Sequence, residues 1–133
     1  MLPLLLLTAC GDLSCDRLYM PDLLLVRLSS SDWPAGTYTV TLTDTDTFDT
    51  LTCTATLPGS DVPCDDELSL LKVVDGALLQ LEAWDFAPDT VTVEVSEVGT
   101  ALFLDDFSPT YEEDEPNGEG CGVQRVGAVD AAW

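Results

Sequence analysis

Residues 37–43 read TYTVTLT, and the alternation is complete: Tyr38, Val40 and Leu42 fall on one face and four Thr on the other. Successive strand side chains point to opposite faces, so this pattern predicts a strand with one face in a core and the other in water. Residues 51–57, LTCTATL, repeat the arrangement, with Leu51, Cys53, Ala55 and Leu57 inward and Thr52, Thr54 and Thr56 outward. The Asp- and Thr-rich turn between the two predicts an antiparallel hairpin. Further on, Val91, Val93 and Val95 alternate with Thr92, Glu94 and Ser96, and Gly99 marks a short turn before residues 101–107, so a second hairpin is expected. The runs LLLV and SLLKVV fit a buried helix as well as a strand by themselves. Enrichment in Thr and β-branched residues, with turn signals every 8 to 12 residues or so, decides for strands.

Seven runs result, at about 18–28, 37–44, 50–57, 67–74, 78–84, 90–97 and 100–107. The expected fold is all-β, an Ig-like antiparallel β-sandwich of about seven strands spanning residues 18–107. The Cys-Trp-Cys spacing of true immunoglobulin domains is missing. From Ser108 onward, four consecutive acids and a Pro-Asn-Gly turn disfavour regular structure, so residues 108–133 are expected to be an acidic loop and tail folded back on the sandwich.

The beginning of the chain has neither period. Residues 2–9, LPLLLLTA, form an apolar run that is about half the length a membrane-spanning helix needs. Four consecutive Leu would leave a strand with no polar face, which argues against an ordinary buried strand and for a secretory signal. Leu7, Thr8, Ala9 and Cys10 resemble the lipobox of bacterial lipoproteins, whose Cys is acylated before the upstream signal is removed. That resemblance implies that residues 1–9 are signal peptide, that Cys10 carries the lipid, and that residues 10–17 are a tether. The segment departs from the pattern in having no Lys or Arg before the apolar run and only nine residues before the Cys. Gly11 after the Cys implies, by the same resemblance, lipid anchoring at the outer membrane or surface of a Gram-negative cell envelope.

Charge removes whole classes of function. Four Lys+Arg stand against 25 Asp+Glu, a formal net charge of −21, and there is no His. Nucleic acid is excluded as a partner because phosphate binding needs a basic surface. Imidazole-based triads and zinc sites with His ligands are excluded too. A hydrophobic content of 46% nevertheless supplies a core, unlike a disordered acidic tail.

With Cys10 assigned to lipid, Cys15, Cys53, Cys64 and Cys121 remain, and in an oxidising compartment they imply two disulfides with three possible connectivities. The 11-residue separation across the turn at Pro58 and Gly59 favours Cys53–Cys64, which leaves Cys15–Cys121. The stretches GTYTVTLT, TCTATL and PTYEEDEPNGEGCG together resemble a group of small uncharacterised bacterial lipoproteins with an Ig-like sandwich, with a departure at Arg125, where that group often carries a further Cys. The group has no established activity, so the resemblance implies a fold and an address.

Candidate chemistry is sparse. Asp44, Asp46 and Asp49 share one inter-strand loop and could offer Ca²⁺ three hard oxygen ligands, although Phe48 and Asp49 break the EF-hand pattern. The plainer account is a solvated turn whose Asp side chains cap backbone amides. Acids around Cys64 (Asp61, Asp65, Asp66, Glu67) and at 112–115 have the same two readings. Trp33 and Trp84 are expected to plug the ends of the core, with exposed Trp as an alternative sugar-stacking surface; Trp133, the final residue given, could be frayed. The expected function is that of a membrane-anchored exported lipoprotein with a structural or interaction role and no catalysis. The alternative is a module binding Ca²⁺ or an envelope polysaccharide.

Overall fold

A computed structural model describes residues 20–116, 118 and 120–133, and the signal, lipidation and tether expectations at residues 1–17 lie outside them. The described chain is all-β: β1 (Leu23–Ser29), β2 (Gly36–Asp44), β3 (Thr50–Leu57), β4 (Val62–Pro63), β5 (Leu70–Val74), β6 (Ala77–Trp84), β7 (Val91–Glu97), β8 (Thr100–Phe107), β9 (Tyr111–Asp114) and β10 (Gln124–Ala132). They form a six-stranded sheet in the order β4-β5-β6-β1-β10-β9 and a four-stranded sheet in the order β3-β2-β7-β8.

The four-stranded sheet follows the alternation directly. β2 pairs with β3 so that Val40 faces Cys53 and Leu42 faces Leu51, and β7 lies on the other side with Val95 beside Val40. Tyr38, Val40, Leu42, Leu51, Cys53, Ala55, Leu57, Val91, Val93 and Val95 are all buried. The opposite face pairs Thr37 with Thr56, Thr39 with Thr54, Thr41 with Thr52 and Thr43 with Thr50. Hydroxyls of the first two pairs lie 3.1 and 3.3 Å apart, the kind of cross-strand Thr contact that stabilises a solvated sheet face. The larger sheet closes the core with Leu24, Val26, Leu28, Leu71, Val73, Leu78, Leu81, Ala83, Val129 and Ala131.

Two expectations are corrected here. All seven expected runs are strands, but three more join them, and residues 108–133 are no mere loop and tail: they supply β9 and β10. β10 lies inside the larger sheet between β1 and β9, and its pairing with β1 is parallel, so the sandwich is not wholly antiparallel. The physical reason is packing against Tyr111. A β-carbon on Gly127 would stand 2.7 Å from the Tyr111 ring, so the strand must be small where that ring lies. Gly127 and Ala131 on the inner face, with Val126 and Ala128 on the outer, erase the period that identifies a strand. β9 is an edge strand wetted on both sides, so its run of acids needs no alternation.

Candidate functional site

The Asp44 loop is built from its own hydrogen bonds. Asp44 Oδ1 accepts from the amides of Asp46 at 2.9 Å and Thr47 at 3.3 Å, the Asp44 carbonyl accepts from the Phe48 amide at 2.8 Å, and Asp49 N donates to Thr47 Oγ1 at 3.2 Å. The Asp44 carboxylate is therefore turned onto backbone, as Asx turns require. Among the described residues, no group of three or more His, Cys, Asp or Glu side chains is placed to hold a metal ion. The Asp44 bonds are those of the plainer account, a turn whose Asp side chain caps backbone amides.

The acids around Cys64 act in the same way. Cys53 and Cys64 form the expected disulfide, which brings the loop alongside β3. Asp65 then bonds Thr52 twice, its amide donating to the Thr52 carbonyl at 2.8 Å and its Oδ1 accepting from the Thr52 amide at 3.0 Å. Asp66 Oδ1 accepts from the amides of Leu68 and Ser69 at 2.8 and 2.7 Å, while the buried Ser69 hydroxyl accepts from Trp84 N at 2.9 Å. Asp61 Oδ1 takes the Val73 amide at 2.7 Å, where the β5–β6 register shifts. Each carboxylate supplies an acceptor to an amide that the sheet ladder leaves without one.

Where the chain comes into β1, it is strapped to the start of β10. Gln124 Nε2 donates to the Pro21 carbonyl at 2.9 Å, and Asp22 Oδ1 accepts from the Arg125 amide at 2.8 Å. Arg125 lies 4.4 Å over the Tyr111 ring and 3.8 Å from Asp89. The Tyr111 hydroxyl donates to the Pro88 carbonyl at 2.7 Å, and burial pushes that phenol up to about 12, against the lowering effect of Arg125. Cys121, three residues before Gln124, is disulfide-bonded; the expected partner, Cys15, lies outside the described residues.

All three described basic side chains face acids: Arg27 with Asp130 at 3.4 Å, Lys72 with Glu82 at 2.8 Å, and Arg125 with Asp89. The hydrogen bond to Glu82 raises the Lys72 pKa. Two open depressions, of about 370 and 400 Å³, flank Arg27 on the outer face of the larger sheet. Val74, Leu79 and Lys72 line one, and Leu25, Thr110 and Glu112 the other.

The aromatics close the far end of the core. Trp33 meets Tyr38 and Trp133 edge-on, each at 5.2 Å, and Trp133 stacks on Phe103 at 5.1 Å. Trp133 is thus packed and not frayed. Trp84 stands beside Leu23 on the outer face, out of phase with the buried Leu81 and Ala83, so it does not plug the core as expected.

Fold and site together define a disulfide-linked β-sandwich whose carboxylates cap backbone. No family model matches the chain, and neither the curated proteins nor the solved structures contain a match to it.

Proposed function

We propose that this chain is an exported lipoprotein, held at the cell envelope by a lipid on Cys10, whose sandwich has a structural or interaction role and no catalysis. The observation that carries this reading is the state of the cysteines. Cys53, Cys64 and Cys121, all three within the described residues, are disulfide-bonded, which suits an oxidising compartment beyond the cytoplasm. The LTAC segment adds the means of anchoring.

The strap between residues 21–22 and 124–125 supports Cys15 as the partner of Cys121, because Pro21, six residues after Cys15, is bonded to Gln124, three residues after Cys121. With Cys15 so bonded, only residues 11–14 separate the lipidated Cys from the staple. Mass spectrometry of the protein recovered from membranes is expected to show an acylated N-terminal Cys10 and no residues 1–9. Non-reducing peptide maps are expected to join Cys15 to Cys121. A Cys10→Ser protein that still fractionates with membranes would overturn the anchor.

A further inference from the structure

A sheet edge presents unpaired backbone groups to any extended chain, so a stable sandwich blunts its edges. Three of the four edges here are blunted. β4 has two residues, one of them Pro63, and β9 has four, of which Glu112, Glu113 and Asp114 are acids. β3 is covered by the Cys64 segment, through the Cys53–Cys64 disulfide and the two Asp65–Thr52 hydrogen bonds. β8 is the exception, with eight residues and, among the described residues, β7 as its one neighbour.

The direction of the backbone groups shows what β8 offers. Thr45 N donates to Thr90 O, so by antiparallel alternation β7 turns the backbone of Thr92 and Glu94 toward β2 and that of Val91, Val93 and Val95 toward β8. Those three stand opposite Phe107, Asp105 and Phe103, which leaves the amides and carbonyls of Leu104 and Asp106 on the free side. Asp105 Oδ1 caps the Asp106 amide at 2.8 Å, while among the described residues the Leu104 groups are open. The Leu104 side chain is also 62% exposed and that of Leu102 40%. Residues 100–104, TALFL, thus join an open ladder to uncharged, strand-forming side chains, the combination that pairs with a further strand.

Charge selects which strand. Residues 94–115 hold eight acids and no base. Glu94 lies beside Leu104, and Asp105 and Asp106 continue the edge on opposite faces of the sheet. A second copy would bring the same carboxylates, and like charges across a strand pair are destabilising. An extended segment with apolar residues opposite Leu102 and Leu104, and Lys or Arg opposite Asp105 and Asp106, meets both features. We propose that β8 is a docking edge that takes such a basic strand from a partner protein, in antiparallel pairing, as a fifth strand of the smaller sheet. Pairing at β8 is independent of how the chain is anchored.

The test uses the full chain and a fluorescent peptide, TKKVTVT, whose Lys fall opposite Asp106 and Asp105 and whose Val fall opposite Leu104 and Leu102. Binding is expected to weaken at least about tenfold when Glu replaces both Lys. It is expected to weaken about tenfold when the peptide residue opposite Leu104 is N-methylated, which removes a ladder hydrogen bond and keeps every side chain. The Leu104 amide is expected to exchange about tenfold more slowly in the complex. Leu104→Pro, which removes that outward amide and spares the β7 ladder, is expected to lose the peptide while melting near wild type. Equal binding of the acidic peptide, or indifference to N-methylation, overturns the proposal, and so does no binding at about 1 mM peptide. A wild-type dimer in sedimentation that Leu104→Pro dissociates assigns the edge to a second copy and overturns it as well.

Discussion

Gly127 and Tyr111 show how a single position sets local sequence. The ring of Tyr111 covers Gly127, and an added methyl would meet two ring carbons at 2.7 and 2.8 Å. Gly127→Ala is expected to cost about 1–3 kcal/mol, read as a lower urea midpoint at unchanged slope. Removing the Tyr111 hydroxyl with Tyr111→Phe leaves the Pro88 carbonyl without its partner and is expected to cost about 1 kcal/mol. The same hydroxyl governs behaviour at alkaline pH. Tyr38 is raised too, by burial first and by the nearby Glu97 and Asp32 next. In each case the folded state keeps its proton after the unfolded chain has released it. The stability that Tyr111 contributes is present below pH 10 and is lost as pH climbs toward 12, and that of Tyr38 is likewise present below pH 10 and lost above it. A tyrosinate absorbance titration should place both above the ordinary range, and Tyr111→Phe should make the alkaline decline shallower. Tyr111 was readable from the sequence as part of the PTYEEDEPNGEGCG stretch. Its companion Gly127 was not, because a glycine that yields space to a ring has no side chain to announce it.

β2, β3, β7 and β8 were legible to within a residue or so, whereas β1 and β5 begin later than the runs expected at 18–28 and 67–74; the reason for the match is visible in β2 and β3, where every inward position is apolar and outward Thr continue along both strands. β10 was illegible because its inward positions are small and its outward ones are partly apolar. The Asp clusters were legible as clusters but not as to purpose: sequence shows carboxylates near one another, while their use depends on which amides lie unpaired nearby. Asp61 makes that use measurable. Asp61→Ala strips the Val73 amide of its acceptor at the β5–β6 irregularity and is expected to cost about 1–2 kcal/mol, with Asp61→Asn recovering most of the loss. The Cys53–Cys64 link closes a loop of 11 residues, and replacing both Cys with Ala is expected to cost about 3 kcal/mol in the loop-entropy model. Loss of the Asp65–Thr52 bonds should follow, seen as faster amide exchange at Thr52.

For the molecule as a whole, the chain carries a formal charge of −21, and its described bases are all engaged with acids. Self-repulsion of this kind opposes the compact state and is screened by salt, with a Debye length near 10 Å at 0.1 M. The melting temperature is therefore expected to rise by several degrees between about 10 mM and 0.5 M NaCl; a flat response would mean the charge is too dispersed to matter. The parallel partnership of β1 and β10 has a further consequence, for synthesis. Leu23 lies opposite Val126 and Ser29 opposite Ala132, so the earliest strand of the sandwich waits for the latest before its sheet can close. Contacts of such separation form slowly, because most of the intervening chain must be gathered first. A nascent polypeptide emerging in order cannot complete this domain until Ala132 is available. The larger sheet locks only when β10 has been added beside β1, so residues 30–123 must be gathered while β1 still lacks its neighbour.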